Sequence, residues 1–533
     1  MKKNSLGIAF VLSVSVLFLP GCSSHSETLI SPVENPVLWA DVPDPDVIRV
    51  GDDFYMVSTT MHLMPGCPVM HSKDLVNWRT IGYVFDRLED TPRYDLEGGT
   101  VYGKGQWATS IRYRDGRFYV LFSPNDQPYK SYIYTTTDPA GKWELLARTD
   151  HFHDASLLLD DDGRNYVFYG GGDIRLRELK SDFSGVEPGG IDTVVIHPDS
   201  SETGLHEGSR VIKHDGKYYA FVISWPSGEP RRQLCYRADS ITGPYEKMVV
   251  LQSEFGGFPY VGQGCLVDDN DGNWWGIIFQ DRGAVGRILT LNPATWTDGW
   301  PMLGDSIGHV PSVITKKTEP LPHSGVAMSD DFADGRKNIL WQWNHNPVDS
   351  LWSLSERPGW LRLHTVGTAD NIFLARNTIS QRMEGPACEG TVKIDISGMK
   401  AGDRAGFAAW NGDAGLLTIA DDGNGRRLVA QTASVALGEP GHAVTAVETV
   451  DTESVTLEHN EVWLRINADF RPGTDTATFS YSTDGAEWYE IGKPFKMRFD
   501  YRRFFMGTRF AIFNYSTTGN GGYIDIDEFK YKK

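Results

Sequence analysis

Between residues 44 and 300 the apolar positions fall in short dense runs, such as YVLFS at 119–123, YVFYG at 166–170 and YYAFVIS at 218–224. Turn residues bound every run. Runs of this length, rich in aromatic and β-branched side chains and closed by Gly, Asp, Asn and Pro, predict strands, and no long helical period competes with them. Five of the turns share one form: GDDFY at 51–55, DGRFY at 115–119, DGRNY at 162–166, DGKYY at 215–219 and DGNWW at 271–275. Their last aromatics are 64, 47, 53 and 56 residues apart. A second recurrence follows each hairpin: SKDLVNW ending at Trp78, TTDPAGKW at Trp143, KSDFSGV around Asp182, ADSITGPY at Tyr245 and NPATWTDGW at Trp300. An inner hairpin plus an outer hairpin makes about four strands per copy, which predicts the blades of a five-bladed β-propeller.

Blades around an axis bring equivalent positions together. Counting back twelve residues from the last aromatic of each turn (eleven in the first copy) gives Asp44, Trp107, Asp154, Glu207 and Gln263. Three of the five are carboxylates, so the register alone predicts a central cluster of acids. Asp41, Asp46 and Asp160 to Asp162 lie outside that register and read as solvated turn residues. His71, His151, His153 and His206 have no mutual metal-ligand spacing; His206, beside Glu207, is the one of them expected to serve the site.

The repeat stops near residues 318–328, TEPLPHSGVAM. Strand-like runs without a propeller period follow to the end, among them EVWLRINADF, TATFSYS and YIDIDEFKY, which predict a β-sandwich of the jelly-roll type. Trp341, Trp343 and Trp352 read there as core more readily than as a sugar platform. The expected organisation is a signal peptide at 1–21, a linker at 22–33, an all-β propeller at 34–318 and a sandwich at 329–533.

A formal charge of −19 over 533 residues argues against nucleic acid, whose phosphates such a surface repels. Lys2 and Lys3 precede an apolar stretch from Leu6 to Leu19 that ends in Leu19-Pro20-Gly21-Cys22, too short for a permanent membrane helix. It resembles a bacterial lipoprotein signal with Cys22 as the lipidated residue, which implies a lipid-anchored protein of the cell envelope, facing periplasm or exterior. Cys67, Cys235, Cys265 and Cys388 are too scattered for a disulfide framework or a zinc site and read as buried thiols.

The segments PDPDVIRVGDDFYMVST, HDASLLLDDDGRNY, HEGSRVIKHDGKYY and GRILTLNPATWTDGWP follow one another at blades one, three, four and five. Together they resemble glycoside hydrolase family 43, the five-bladed arabinofuranosidases and β-xylosidases, and the C-terminal part resembles the concanavalin-like sandwich often fused to them. The resemblance implies Asp44 as general base, Glu207 as general acid and Asp154 as the residue that orients and tunes that acid. It implies Arg287 as a holder of sugar hydroxyls, and Trp107, Gln263 and His206 are further candidates for substrate contact. No cofactor is required. A structural calcium at the propeller axis, seen with a histidine in many relatives, is weakened here because Gly262 stands at that place, and no metal ligand is assigned.

The chemistry needs two carboxyls in opposite states. Opening a glycosidic bond through an oxocarbenium-like state requires a proton for the departing oxygen and a deprotonated water on the opposite face, hence inversion. A third carboxylate near the acid favours its protonated form by repulsion. The loop MHLMPGCP at 61–68 is expected at the funnel mouth, fitting a small pentose. A blind funnel implies removal of a terminal sugar and not internal cleavage, and ADVPDPD with MHLMPG most resembles the family members that release terminal α-L-arabinofuranosyl groups from hemicellulose-derived chains, with the β-1,4-xylosidases next. A sugar-binding lipoprotein without catalysis is the other class, disfavoured by the crowding of acids. A sialidase-like propeller, suggested by SKDLVNW, would need an arginine cluster where three blade positions here are acids.

Overall fold

The computed structural model describes Met1 and residues 29–319, 321–439, 442–519 and 521–533. The expected signal segment and Cys22 lie outside the described residues. Among the described residues no helix is long and apolar enough to cross a membrane.

Five four-stranded antiparallel sheets form the propeller. Their inner strands are Asp46–Val50 (blade I), Gln106–Arg114 (II), Ser156–Leu159 (III), Leu205–His214 (IV) and Val261–Asp268 (V). Each packs on the next, and blade V packs back on blade I. The hairpin signature explains the tight inner turns: Asp115 with Gly116 and Asp215 with Gly216 all take positive φ, the two-residue turn whose twist matches the flanking strands. Register pairs Arg114 with Arg117 and His214 with Lys217 across these turns.

Hydrophobic burial sits between blades, not at the axis. One cluster joins Met56 and Met70 of blade I to Val267 and Trp275 of blade V, and another joins Val69 to Ile111 and Val120 of blade II. Comparable clusters lie between II and III, III and IV, and IV and V. Because apolar side chains are used up in these wedges, polar groups are left to fill the axis. There Arg112 of blade II donates to Asp46 Oδ2 of blade I (2.7 Å), Ser156 Oγ of blade III (2.9 Å) and the Val211 carbonyl of blade IV (3.0 Å).

Residues 29–33, expected in a linker, are part of a strand. Leu29–Glu34 pairs antiparallel with Val313–Thr318, and Asn35 ties both ends through Leu291 and Pro311. The strand that enters the propeller is thus stapled to the strand that leaves it.

The C-terminal part is a concanavalin-like sandwich of two large antiparallel sheets. Trp341 and Trp343 are buried in its core and Trp352 packs against it, so none of the three forms an exposed platform. The four cysteines are buried and free, and burial pushes the thiols of Cys67, Cys265 and Cys388 up to about 12. The loop at 61–68 differs most from expectation. Only Met61 reaches the funnel; Leu63–Met64 joins the sandwich as an edge strand against Gln342–Asn344. His62 is buried beside Tyr102, Phe504 and His345. The loop is a joint between domains, and through it the sandwich is positioned over the axis.

Candidate active site

At every blade the inner strand departs from regular geometry at the register position. In blades II, IV and V the ladder slips, between Gln106 and Thr109, Glu207 and Arg210, and Val261 and Gly264. A bulge of this kind re-aims the side chain it carries. In blades I and III the residue precedes the strand, and Asp44 and Asp154 take left-handed backbone, φ 53 and 47. Such a conformation costs a non-glycine residue about 1 kcal/mol or more and persists where surrounding contacts impose it. The contacts on Asp44 are visible: Arg210 Nη2 donates to its carbonyl (2.9 Å), and Thr59 Oγ1 donates to its Oδ2 (2.6 Å).

All five register-equivalent residues line one cavity of about 810 Å³. Asp44 Oδ1 accepts from Arg287 Nη1 at 3.1 Å, with both groups buried. Glu207 Oε2 lies 2.9 Å from His153 Nε2, and a nitrogen of His153 and oxygens of Asp154 and Glu207 all lie within 4.8 Å of one another. Gly171 makes room for that contact, since a Cβ there would stand 3.3 Å from Glu207 Oε2. Gly208 has φ +74, and a Cβ on it would meet Gln263 Cδ at 2.3 Å, so Gln263 reaches the site by lying on bare backbone beside Glu207.

Burial raises Asp154, to about 7, and the carboxylates of Glu207 and Asp44 add to the rise. Asp154 is the largest influence on His153, which is raised to about 9, with Glu207 second among the carboxylates. At neutral pH the imidazole is therefore cationic and stands as the positive partner between the two carboxyl groups. The three ligand atoms are spaced so that they could hold a metal ion, yet His153 already supplies a positive charge among them. At the axis below, Arg112 presents donors where calcium would need acceptors, and the residues there do not fit such an ion.

The sandwich forms the far wall, which the sequence did not reveal. Phe505 lies with its ring centroid 5.7 Å from that of Trp107 and 4.5 Å from the guanidinium carbon of Arg287, and its carbonyl accepts from Arg287 Nη2 (3.3 Å). Lys496, Arg498 and Tyr501 stand beside it on the cavity. Blades IV and V add Trp225, Arg231, Tyr260 and Asp281.

Trp107, Gln263 and Arg287 face the cavity. His206 does not: it packs behind the wall, 2.6 Å from the Gly172 carbonyl through Nδ1 and 2.9 Å from Tyr236 OH through Nε2. Strand alternation is the reason, because His206 precedes Glu207 in an extended strand and so points to the opposite face. His153 precedes Asp154 outside any strand, escapes that alternation and turns inward. The same adjacency that singled out His206 would have found it.

Three aspartates read as solvated turns are structural. Asp46 is 1% exposed and accepts from Ser110, Ile111 and Arg112. Asp41 is buried and joins the Arg287 amide (2.8 Å) to the Gly507 amide of the sandwich (2.9 Å). Asp160 is buried against Lys213 and Tyr218, whereas Asp161 and Asp162 are exposed at the hairpin tip.

Residues 33–301 match the family model of glycosyl hydrolases family 43, and residues 329–532 match that of the beta xylosidase C-terminal Concanavalin A-like domain. A beta-xylosidase of Formosa agariphila is 29% identical over 93% of this chain and 90% of its own length. A putative beta-xylosidase of Xylanibacter ruminicola is 32% identical over 85% and 82%. A non-reducing end alpha-L-arabinofuranosidase of Bacteroides ovatus is 30% identical over 80% and 79%. Among solved structures, a bifunctional GH43-CE protein of Bacteroides eggerthii superposes with TM-score 0.86 and 41% identity over 95% of this chain, which spans 64% of that protein. A GH43 glycoside hydrolase engineered for both endo-xylanase and exo-arabinofuranosidase activity superposes at TM-score 0.84, with 32% identity over 94% of this chain and 100% of that one.

Proposed function

Because the chain belongs to glycosyl hydrolases family 43 and is a glycosidase, we propose that its axial cavity releases single terminal pentosyl groups from hemicellulose-derived oligosaccharides with inversion. The observation that carries this is the convergence of Asp44, Asp154 and Glu207 on one cavity from three different blades.

In this reading Glu207 gives its proton to the glycosidic oxygen as the bond to the sugar breaks. Asp44 takes a proton from the water that attacks the opposite face, and the new hydroxyl carries the inverted configuration. The cycle closes when Asp44 gives the proton it took to solvent and Glu207 regains one from solvent, so that no net proton is consumed. Arg287, which lines the same cavity, keeps Asp44 paired and oriented through Nη1 while Nη2 ties it to the Phe505 carbonyl. Phe505 and Trp107 wall off water so that these charges act in a poorly screened space.

The released sugar is read as β-D-xylosyl first, since two of the three curated relatives described above carry that activity in their names. The sequence alone favoured α-L-arabinofuranosyl, and the Bacteroides ovatus relative keeps that as the second reading. The N-terminal signal adds the proposal that the enzyme is lipid-anchored at Cys22 in a bacterial cell envelope.

The test is hydrolysis of xylo-oligosaccharides and arabinofuranosylated xylo-oligosaccharides, with the first-formed anomer followed by NMR. Wild type should release one pentose with inverted configuration, and Glu207→Gln should lose roughly 100-fold or more. Equal rates for the two proteins, or a retained anomer, would overturn the assignment.

A further inference from the structure

Beyond the pocket for the released sugar, the cavity has a second built wall on blades IV and V. Glu207 pairs in register with Ile223, and two residues further along the same ladder Leu205 pairs with Trp225. Side chains two apart on a strand share a face and lie roughly 7 Å apart along it. Exposure gives the direction: Ile223 is 1% exposed and Trp225 39%, so the step from Glu207 to Trp225 runs outward to the mouth.

That direction has a chemical meaning, which rests on Glu207 being the acid. The acid protonates the oxygen that stays with the departing sugar, so the next ring must lie beside Glu207 on the outward side. One pleat repeat outward is where Trp225 stands. Its indole is fixed by a hydrogen bond from Nε1 to the Glu229 carbonyl (3.1 Å), by the Arg231 guanidinium 4.8 Å from the ring centroid, and by Tyr260 edge-on at 5.4 Å.

Arg231 Nη2 in turn lies 2.8 Å from Asp281 Oδ2 across the blade boundary, and both line the cavity. The pair carries no net charge, yet it offers donors and an acceptor beside an aromatic face. This combination suits a neutral ring with hydroxyls on its rim and an apolar face, not an anion. Asp281 is also the cross-strand partner of Arg287, so the second wall is continuous with the group that holds Asp44.

We propose that Trp225, Arg231 and Asp281 form the subsite for the departing sugar, a neutral pyranose stacked on Trp225 and bonded at its hydroxyls by the Arg231–Asp281 pair. The enzyme then selects its substrate by two adjacent rings and not by the released pentose alone.

The experiment compares two leaving groups on the same pentose, whichever one wild type releases: a xylose unit in a disaccharide, and fluoride in the glycosyl fluoride. Fluoride is a single atom and needs no subsite. For Trp225→Ala and Arg231→Met, the loss in kcat/KM on the disaccharide should exceed the loss on the fluoride at least tenfold. Trp225→Phe, which keeps an aromatic face, should recover most of the disaccharide rate. Equal losses on both substrates would show a merely structural role and overturn the subsite while leaving the catalytic reading intact, as would no loss on either. A wild type inactive on both substrates would overturn the catalytic reading, and the subsite with it.

Discussion

Replacing Phe505 with alanine tests whether the C-terminal sandwich takes part in the reaction. The ring touches two groups of the propeller site: Arg287, 4.5 Å from its centroid, and Trp107, whose centroid is 5.7 Å away. A partly desolvated cation–π contact contributes about 1–2 kcal/mol, and an edge-to-face aromatic pair about 1 kcal/mol. Their joint loss, about 2–3 kcal/mol, corresponds to a fall of roughly 30- to 150-fold in kcat/KM if both act fully in the transition state. The same contacts exist in the free enzyme, so their loss also costs stability, by up to about 2–3 kcal/mol; at roughly 2–4 °C per kcal/mol the fall in Tm stays below about 12 °C and leaves the protein folded at assay temperature. The assay is steady-state kinetics on an aryl pentoside beside thermal unfolding of the same preparations. A fall in kcat/KM below threefold would refute the contribution of the sandwich. A rate loss explained by unfolded protein in the preparation would refute it equally.

Two further perturbations probe the acid cluster. His153 is raised to about 9 from its ordinary value of 6.5, so its stabilisation is complete below pH 6.5 and disappears as pH rises through 9. His153→Gln should therefore flatten the fall of stability between pH 6.5 and 9, by on the order of 2 kcal/mol after allowance for partial exposure; parallel denaturant titrations at the two pH values measure it, and an unchanged slope would count against a protonated imidazole. Gly208→Ala forces a Cβ at φ +74 into Gln263, 2.3 Å from its Cδ. A loss of about 1–2 kcal/mol in stability from the backbone alone is expected, together with a fall of at least tenfold in kcat/KM; in the double variant with Gln263→Ala the clash disappears, so strict additivity of the two losses would contradict the geometry.

The sequence carried much of this site because a repeat converts linear spacing into angular position. Asp44, Trp107, Asp154, Glu207 and Gln263 were found by counting, and all line the same cavity. What counting could not supply was orientation at single residues. His206 and His153 each precede a counted acid, yet only the second faces the site, because one lies within a regular strand and the other does not. Nor could spacing separate a buried aspartate from a solvated one. Asp41, Asp46 and Asp160 sit in turn-like sequence, and the partners that bury them come from other blades or from the sandwich.

Local pattern by itself determined the strands, the five inner hairpins, the division into propeller and sandwich character, and the identity of three converging acids, since each depends on residues near one another in the chain. Only the tertiary structure decided the far wall of the cavity. Phe505 meets Trp107 and Arg287 after hundreds of intervening residues, through a joint at Leu63–Met64 that looked like a funnel lip. Contacts between domains leave no periodic trace in either partner, because each side is written for its own core and the match exists only once both have folded.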